Sequence, residues 1–208
     1  MALFITFEGA EGSGKTAQSR NLYKSLHRLA VPVVLTHEPG GTVLGEKVAR
    51  LLKWSRDTAI APVAELMLFN ASRAELVSEV IRPGLQAGKI VICDRFADST
   101  LAYQGFGRGL DLDMVRSVNE TGSLGLKPDL TVLLDIPAAE GLGRKKDKPD
   151  RFENEAVTFH ERVRDGYLKL AAWEPERWLV VNSGQPEDMV AQVIWQKVRE
   201  MLPARLSG

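Results

Sequence analysis

The sequence holds a single cysteine, Cys93, among 208 residues. One thiol excludes an intramolecular disulfide framework and any cysteine-rich zinc site, and it fits a reducing compartment, so a cytoplasmic location is expected. Charge of one sign is missing too, because 27 Lys and Arg balance 27 Asp and Glu and the formal net charge is zero. The chain lacks the basic excess of a protein whose main ligand is a nucleic-acid backbone, so the expected anion is a small nucleotide and not a nucleic acid. No apolar run approaches the roughly 20 residues of a membrane span, and the first strand pattern starts too early to leave room for a secretion signal. A soluble protein with no membrane partner is expected. No low-complexity or linker-like stretch divides the chain, and its 44% apolar content suffices for one substantial core, so residues 1–208 are read as one domain.

What is present is most specific near the start. Gly9-Ala10-Glu11-Gly12-Ser13-Gly14-Lys15-Thr16 fills every fixed position of the phosphate-cradling pattern G-x-x-x-x-G-K-[ST]. Each residue type contributes differently. The glycines let backbone N–H groups face phosphate oxygens, Lys15 reaches the β/γ-phosphates, and the Thr16 hydroxyl can hold Mg²⁺. The flanks fit, since Leu3 to Phe7 reads as a buried strand and Lys15 to Leu29 as a helix with Leu22, Leu26 and Leu29 on one face.

Four more short β-branched or apolar runs, Val31 to Thr36, Ile90 to Cys93, Leu130 to Leu134 and Trp178 to Val181, alternate with segments of helical period. Nearly continuous apolar strands imply burial on both faces, hence an α/β fold with a five-stranded parallel sheet and helices on each side. Three helical stripes are expected to face the core: Leu44, Val48 and Leu51; Phe159, Val163, Tyr167 and Leu170; and Val190, Ile194, Val198 and Met201.

In such sheets ligands gather at the carboxyl ends of the strands. There the sequence places the P-loop, His37-Glu38-Pro39-Gly40-Gly41-Thr42, Asp94-Arg95-Phe96 and Asp135-Ile136-Pro137. A hydrophobic strand ending in Asp94 is the Walker-B arrangement, making Asp94 the metal partner of Thr16. Arg95 beside it would set a permanent cation, able to bind bidentately, where phosphates meet. Asp135, followed by Pro after one residue, suits a plain turn. His27, His37 and His160 are not expected to be catalytic.

Phe7-Glu8-Gly9 leading into the P-loop, Glu38-Pro39-Gly40-Gly41-Thr42, Ser72-Arg73, Asp94-Arg95-Phe96 and Ala102-Tyr103-Gln104-Gly105, in this order, closely resemble the thymidylate kinase family over nearly the whole chain. The resemblance implies a P-loop nucleoside monophosphate kinase fold, Mg-ATP as donor, dTMP as acceptor and a homodimer. It implies that Phe69 stacks on the thymine ring and Arg73 bonds its carbonyl edge, and a spacing of four residues puts both on one helix face. It further implies Thr100 and Gln104 near the base edge, Tyr103 against the deoxyribose, Glu11 toward the acceptor sugar or an acceptor-side arginine, and Glu38 in the loop facing the acceptor phosphate.

Residues 143–153 carry five cations, Arg144, Lys145, Lys146, Lys148 and Arg151. A solvated loop is one reading; in a phosphoryl transferase the segment reads as a lid that excludes water and brings a cation to the transferring group. The resemblance favours the lid, because family members with an acid and no base in the variable P-loop positions take the catalytic arginine from it. Arg144 and Arg151 are both candidates, alongside Lys15 and Arg95. A phosphate oxygen is already ionised near neutral pH, so transfer to it needs no strong general base. The alternatives are a kinase for another nucleoside monophosphate or deoxynucleoside, and a nucleotide-dependent switch, though the chain has no guanine-reading Asn-Lys-x-Asp string.

Overall fold

The computed structural model describes residues 2–54, 59–144 and 148–203. The apolar run at the start forms β1 (Leu3–Glu8), whose residues are buried from Phe4 onward. It leads into α1 (Lys15–Arg28), β2 (Val33–His37), α2 (Val43–Trp54) and α3 (Pro62–Leu76). A π-helical turn over Val77–Ile81 continues α3 into α4 (Arg82–Gln86), and β3 (Ile90–Asp94) follows. After it come α5 (Ala97–Thr100), a π-helical segment over Leu101–Gly107, α6 (Leu112–Gly122), β4 (Leu130–Asp135), α7 (Ala138–Gly143), α8 (Val157–Trp173), β5 (Trp178–Asn182) and α9 (Glu187–Met201).

All five strands pair in parallel in the order β2-β3-β1-β4-β5. Alternate residues of the central strands enter opposite cores, as strands covered on both sides require. Ile5, Phe7, Ile92 and Val132 pack with Leu22 and Leu26 of α1 and Val190, Ile194 and Val198 of α9. On the other face Leu133 meets Phe159, Val163 and Tyr167 of α8, while Phe4 and Val91 meet Leu76 and Phe96. Register aligns the strand ends: Phe7 lies opposite Asp94, and Asp94 opposite His37. The loops after β1, β2 and β3 therefore open on one edge.

Three details depart from the sequence reading. α1 stops at Arg28, because Ala30 turns left-handed (φ 55°) and the Val31 N–H bonds back to the Leu26 carbonyl. Such a helix stop spends Val31 as a buried contact, starts β2 only at Val33, and leaves Leu29 exposed. The Leu44-Val48-Leu51 stripe of α2 is not core: Leu44 and Leu51 are exposed, and the buried face is Gly45, Ala49 and Leu52. The small face wins because α2 lies so close to the preceding turn that a Cβ on Gly45 would sit 2.6 Å from the Gly40 carbonyl oxygen. The stripes of α8 and α9 are buried as expected, with Met201 at the margin.

Candidate active site

The P-loop leaves β1 and enters α1 through Gly14, which sits at φ 89°, a left-handed conformation that glycine adopts without cost. At Gly12 a side chain is excluded outright, since its Cβ would fall 1.9 Å from the Gly141 carbonyl oxygen. The first turn of α1 has no side-chain cap and no acid, so its N–H groups and positive dipole end are available to an anion. Lys15 is buried beneath the loop, donating to the Ala10 carbonyl (2.7 Å) and Ser13 Oγ (3.2 Å). Burial, and then the neighbouring Arg95 cation, lower its pKa to about 8. The Thr16 hydroxyl donates to Asp94 Oδ2 at 2.5 Å, so the hydroxyl and carboxylate expected to share a metal meet at the helix start. Both are hard oxygens, the kind Mg²⁺ takes together with phosphates and water. Among the described residues no three His, Cys, Asp or Glu side chains gather as a metal cage.

Gly9, Ala10 and Ser13 shape the loop wall, and Glu11, Gly12, Gly14, Lys15 and Thr16 line a cleft of about 680 Å³. Arg95 lines it too, bonded both to the P-loop and to Tyr103. The Arg95 backbone is left-handed (φ 70°) with its N–H on the Phe7 carbonyl, which turns the side chain back across the end of β1. Its guanidinium donates to Glu11 Oε1 (2.7 Å), the Gly9 carbonyl (3.1 Å), Tyr103 OH (3.1 Å), and Ser99 Oγ and Tyr167 OH (both 3.3 Å). Tyr103 OH also donates to Glu11, at 2.8 Å. Glu11, Arg95 and Tyr103, separate in the sequence, are therefore one cluster.

Behind this cluster Glu8 is fully buried and accepts from the Phe96 N–H (2.8 Å), Ser99 Oγ (2.5 Å) and Tyr167 OH (2.9 Å). Burial first, then the negative charge of Asp98, raise its pKa to about 7. The native state holds this proton more tightly than the unfolded chain, so the stabilisation is complete below about pH 4.5 and lost as pH rises through about 7. Glu8→Gln should flatten the decline of stability between pH 5 and 8 by up to about 3 kcal/mol. Urea melts of both proteins at the two pH values check this; equal slopes would count against a buried, proton-binding Glu8.

At the far end of the cleft Phe69 and Phe152 approach with ring centroids 5.7 Å apart, Tyr103 stands edge-on to Phe152, and Thr100 and Gln104 complete the lining. Arg73, expected to face the same space, lies beneath it. It is 1% exposed and donates to Glu38, Asn70 (3.0 Å), Asn119 (2.7 Å), Thr100 Oγ1 (2.7 Å) and the Phe96 carbonyl (3.3 Å). Glu38 stands between Arg73, which it pairs at 2.9 Å, and the cleft it lines. Its pKa is raised by burial and held back by Arg73.

The two arginines of the expected lid segment are placed differently. Arg144, just after α7, lines the cleft with its guanidinium on the Ser183 carbonyl (3.0 Å) and Glu140 (2.7 Å). Arg151 turns away, paired with buried Glu65 at 2.6 Å and donating to the Leu52 carbonyl at 2.8 Å. Lys145 and Lys146 of the expected lid lie outside the described residues. Asp135 accepts both arms of an ion pair from Arg164 (2.7 and 2.8 Å) and has a structural role. Of the histidines, His37 reaches the rim with its ring on Glu46, His27 stacks on Tyr23, and His160 packs against Phe159.

Ser99 and the hydroxyl of Tyr167, both bonded to Arg95, and Phe152, which faces Phe69, are not expected from the sequence. Tyr167 had a signal: in an otherwise apolar stripe of α8 its hydroxyl needs a partner once buried.

A cleft with a phosphate cradle at one end, an aromatic slot at the other and a fixed guanidinium between them, on a parallel sheet of this strand order, defines a P-loop phosphotransferase of the nucleoside monophosphate kinase type. A sequence model of the thymidylate kinase family matches residues 7–194. The chain is 54% identical over 206 residues to the thymidylate kinase of Dehalococcoides mccartyi (strain CBDB1), covering 99% of each, and 48% identical over 208 residues to that of Roseiflexus sp. (strain RS-1), covering 93% and 92%. The crystal structure of thymidylate kinase from Ehrlichia chaffeensis superposes with a TM-score of 0.79 at 36% identity, covering 95% of this chain and 98% of that one. The chain belongs to the thymidylate kinase family.

Proposed function

We propose that this protein transfers the γ-phosphoryl group of ATP to a phosphate oxygen of dTMP, forming dTDP in nucleotide biosynthesis. The observation that carries the reading is a cleft lined both by Lys15 and Thr16 at the start of α1 and by the aromatic side chains of Phe69, Phe152 and Tyr103, with the Arg95 guanidinium bonded to Glu11 of the P-loop and to Tyr103. The acceptor oxygen is ionised near neutral pH, so catalysis reduces to alignment and charge neutralisation. Lys15 and the α1 N-terminus hold the donor phosphates. Arg95, oriented by Glu11, Ser99, Tyr103 and Tyr167, holds the acceptor phosphate against them, and Tyr103 and Glu11 border the sugar. Phe69 offers the base a stacking face, Gln104 and Thr100 meet its edge, and Arg73 reaches it through the polar shelf of Thr100 and Glu38. Thr16 and Asp94 suit Mg²⁺, which when bound neutralises charge on the donor phosphates.

The test is ADP release from Mg-ATP with dTMP, dUMP, dCMP, dGMP, AMP and thymidine offered singly. Strong preference for dTMP is expected. Preference for another acceptor would overturn the base-site roles, and acceptor-independent hydrolysis would move the protein toward a switch.

The working form is a homodimer, supported by the apolar side chains that α2 and α3 leave outside: Val43, Leu44, Leu51, Val63 and Met67 are 79, 46, 44, 44 and 50% exposed. Single apolar side chains on a surface are ordinary, but a cluster on two adjacent helices marks a contact face. Sedimentation velocity should give twice the 22.9 kDa chain mass, and Met67→Glu should shift it to monomer; a monomeric parent protein would rule the reading out. A cytoplasmic setting fits the free, buried Cys93. No helix among the described residues is long and apolar enough to cross a membrane.

A further inference from the structure

Glu65 of α3 is fully buried, yet it is neither at a strand end nor in any of the motifs that marked the cleft. Its Oε1 accepts from Gln104 Nε2 at 2.7 Å and from Arg108 Nε at 3.2 Å; its Oε2 accepts from Arg108 Nη2 at 3.3 Å and pairs with Arg151 at 2.6 Å. A carboxylate offers only acceptors, so the end of the Gln104 amide turned toward it has to be the NH₂. Gln104 is held against rotation there, and the other end of the amide, a carbonyl, is what remains for the cleft that Gln104 lines.

We infer that Glu65 is a positioning residue for base selection: by holding the Gln104 amide in one orientation, it makes the base edge of the cleft a hydrogen-bond acceptor. The inference rests on the dTMP reading of the aromatic slot. Thymine and uracil carry a donor at N3, which an acceptor satisfies. Cytosine carries a lone pair at N3, and an amide oxygen facing it leaves two buried acceptors opposed. Freely rotating, the same glutamine would present its NH₂ to cytosine with equal ease. Selection against cytosine thus depends on the buried acid that fixes the amide, two guanidiniums holding that acid in turn. Buried polar groups left unpaired are what let a site reject an analogue strongly.

The experiment is kcat/KM for dTMP, dUMP and dCMP in the parent enzyme, Glu65→Gln, Glu65→Asp and Gln104→Ala. Glu65→Gln can donate as well as accept and so frees the amide to flip. Glu65→Asp keeps the charge for Arg108 and Arg151 but withdraws the oxygen from Gln104, which keeps the test usable if the neutral variant does not fold. Either Glu65 variant should lower the dTMP-to-dCMP ratio at least tenfold, chiefly through KM, and leave the dTMP-to-dUMP ratio within twofold, because the 5-methyl group is not read by this amide. Equal losses on all three substrates, or an unchanged dTMP-to-dCMP ratio in the Glu65 variants while Gln104→Ala lowers it, would overturn the inference. If Gln104→Ala itself leaves that ratio unmoved, the assignment of Gln104 to the base edge fails, and the inference with it.

Discussion

Replacing Arg144 with alanine is expected to lower kcat for dTMP phosphorylation by about 10³–10⁵, the range a guanidinium on a transferring phosphoryl group supplies. Arg151→Ala should cost kcat far less. Both arginines stand in the basic segment, and what separates them is the cost of leaving their present partners. The Arg144–Glu140 pair is half exposed (39% and 50%), such pairs are worth about 0.2–1 kcal/mol, and its other bond is to the neutral Ser183 carbonyl, so the guanidinium can move to a phosphate at small cost. Arg151 is paired with a carboxylate that is 0% exposed, and removing one partner of a buried pair costs about 3–5 kcal/mol. That cost would fall on every turnover. Arg144 also lines the cleft already, whereas Arg151 caps the end of α2. Single-turnover rates at saturating dTMP and ATP decide the matter: a larger loss in Arg151→Ala than in Arg144→Ala would reverse the assignment. The expected signature of Arg151→Ala is a lower melting temperature and a higher KM for dTMP, since it frees Glu65 and with it the wall of the base slot.

The contrast between these arginines shows which parts of the site could be read from the sequence. That Lys15, Thr16, Asp94 and Arg95 line one cleft was legible because each follows a strand at fixed offset, and a parallel sheet brings its strand ends together whatever surrounds them. Five strands were legible for the related reason that double burial leaves unbroken apolar runs. The partners were not. Glu38 and Arg73 lie 35 residues apart, and Glu65 and Arg151 are further separated still. Nothing local says which acid a given arginine will meet, so Arg73 read as a cleft residue although Glu38, Asn70, Asn119 and Thr100 use its donors. The face of α2 failed for a packing reason. Leu44 and Leu51 promised the core, but the helix turns Gly45 against the Gly40 carbonyl, and with it Ala49 and Leu52 inward. Tyr167 was correctly read as buried, and its second role came from the hydroxyl rather than the ring.

Lys15→Ala should lower kcat by at least about 10²–10³, the usual cost of removing one preorganised donor from a developing charge, while dTMP affinity changes no more than about threefold. The separation follows from place: Lys15 lies under the P-loop against the Ala10 carbonyl and Ser13, and the slot of Phe69 and Phe152 is at the other end of the cleft. A comparable loss of dTMP affinity would mean that the two ends are not separate sites. The same lysine predicts how donor binding responds to pH. Burial and Arg95 hold its pKa near 8, so above that pH the nucleotide-free enzyme increasingly carries a neutral amine. A triphosphate placed against it favours the ammonium form and draws the proton back. Binding of ATP above pH 8 should therefore be accompanied by proton uptake, and affinity should fall as pH rises through 8, by as much as about tenfold per unit. Below pH 7 the lysine is already charged and the dependence from this group should vanish. Calorimetric titrations in buffers of different ionisation enthalpy measure the uptake directly, and Lys15→Met should abolish it. If uptake persists in that variant, the proton belongs to another group, with Glu8 and its raised pKa of about 7 the first to examine. If the parent enzyme shows no uptake at pH 8.5, Lys15 is fully charged before the nucleotide arrives, and the cradle is better solvated than its burial implies.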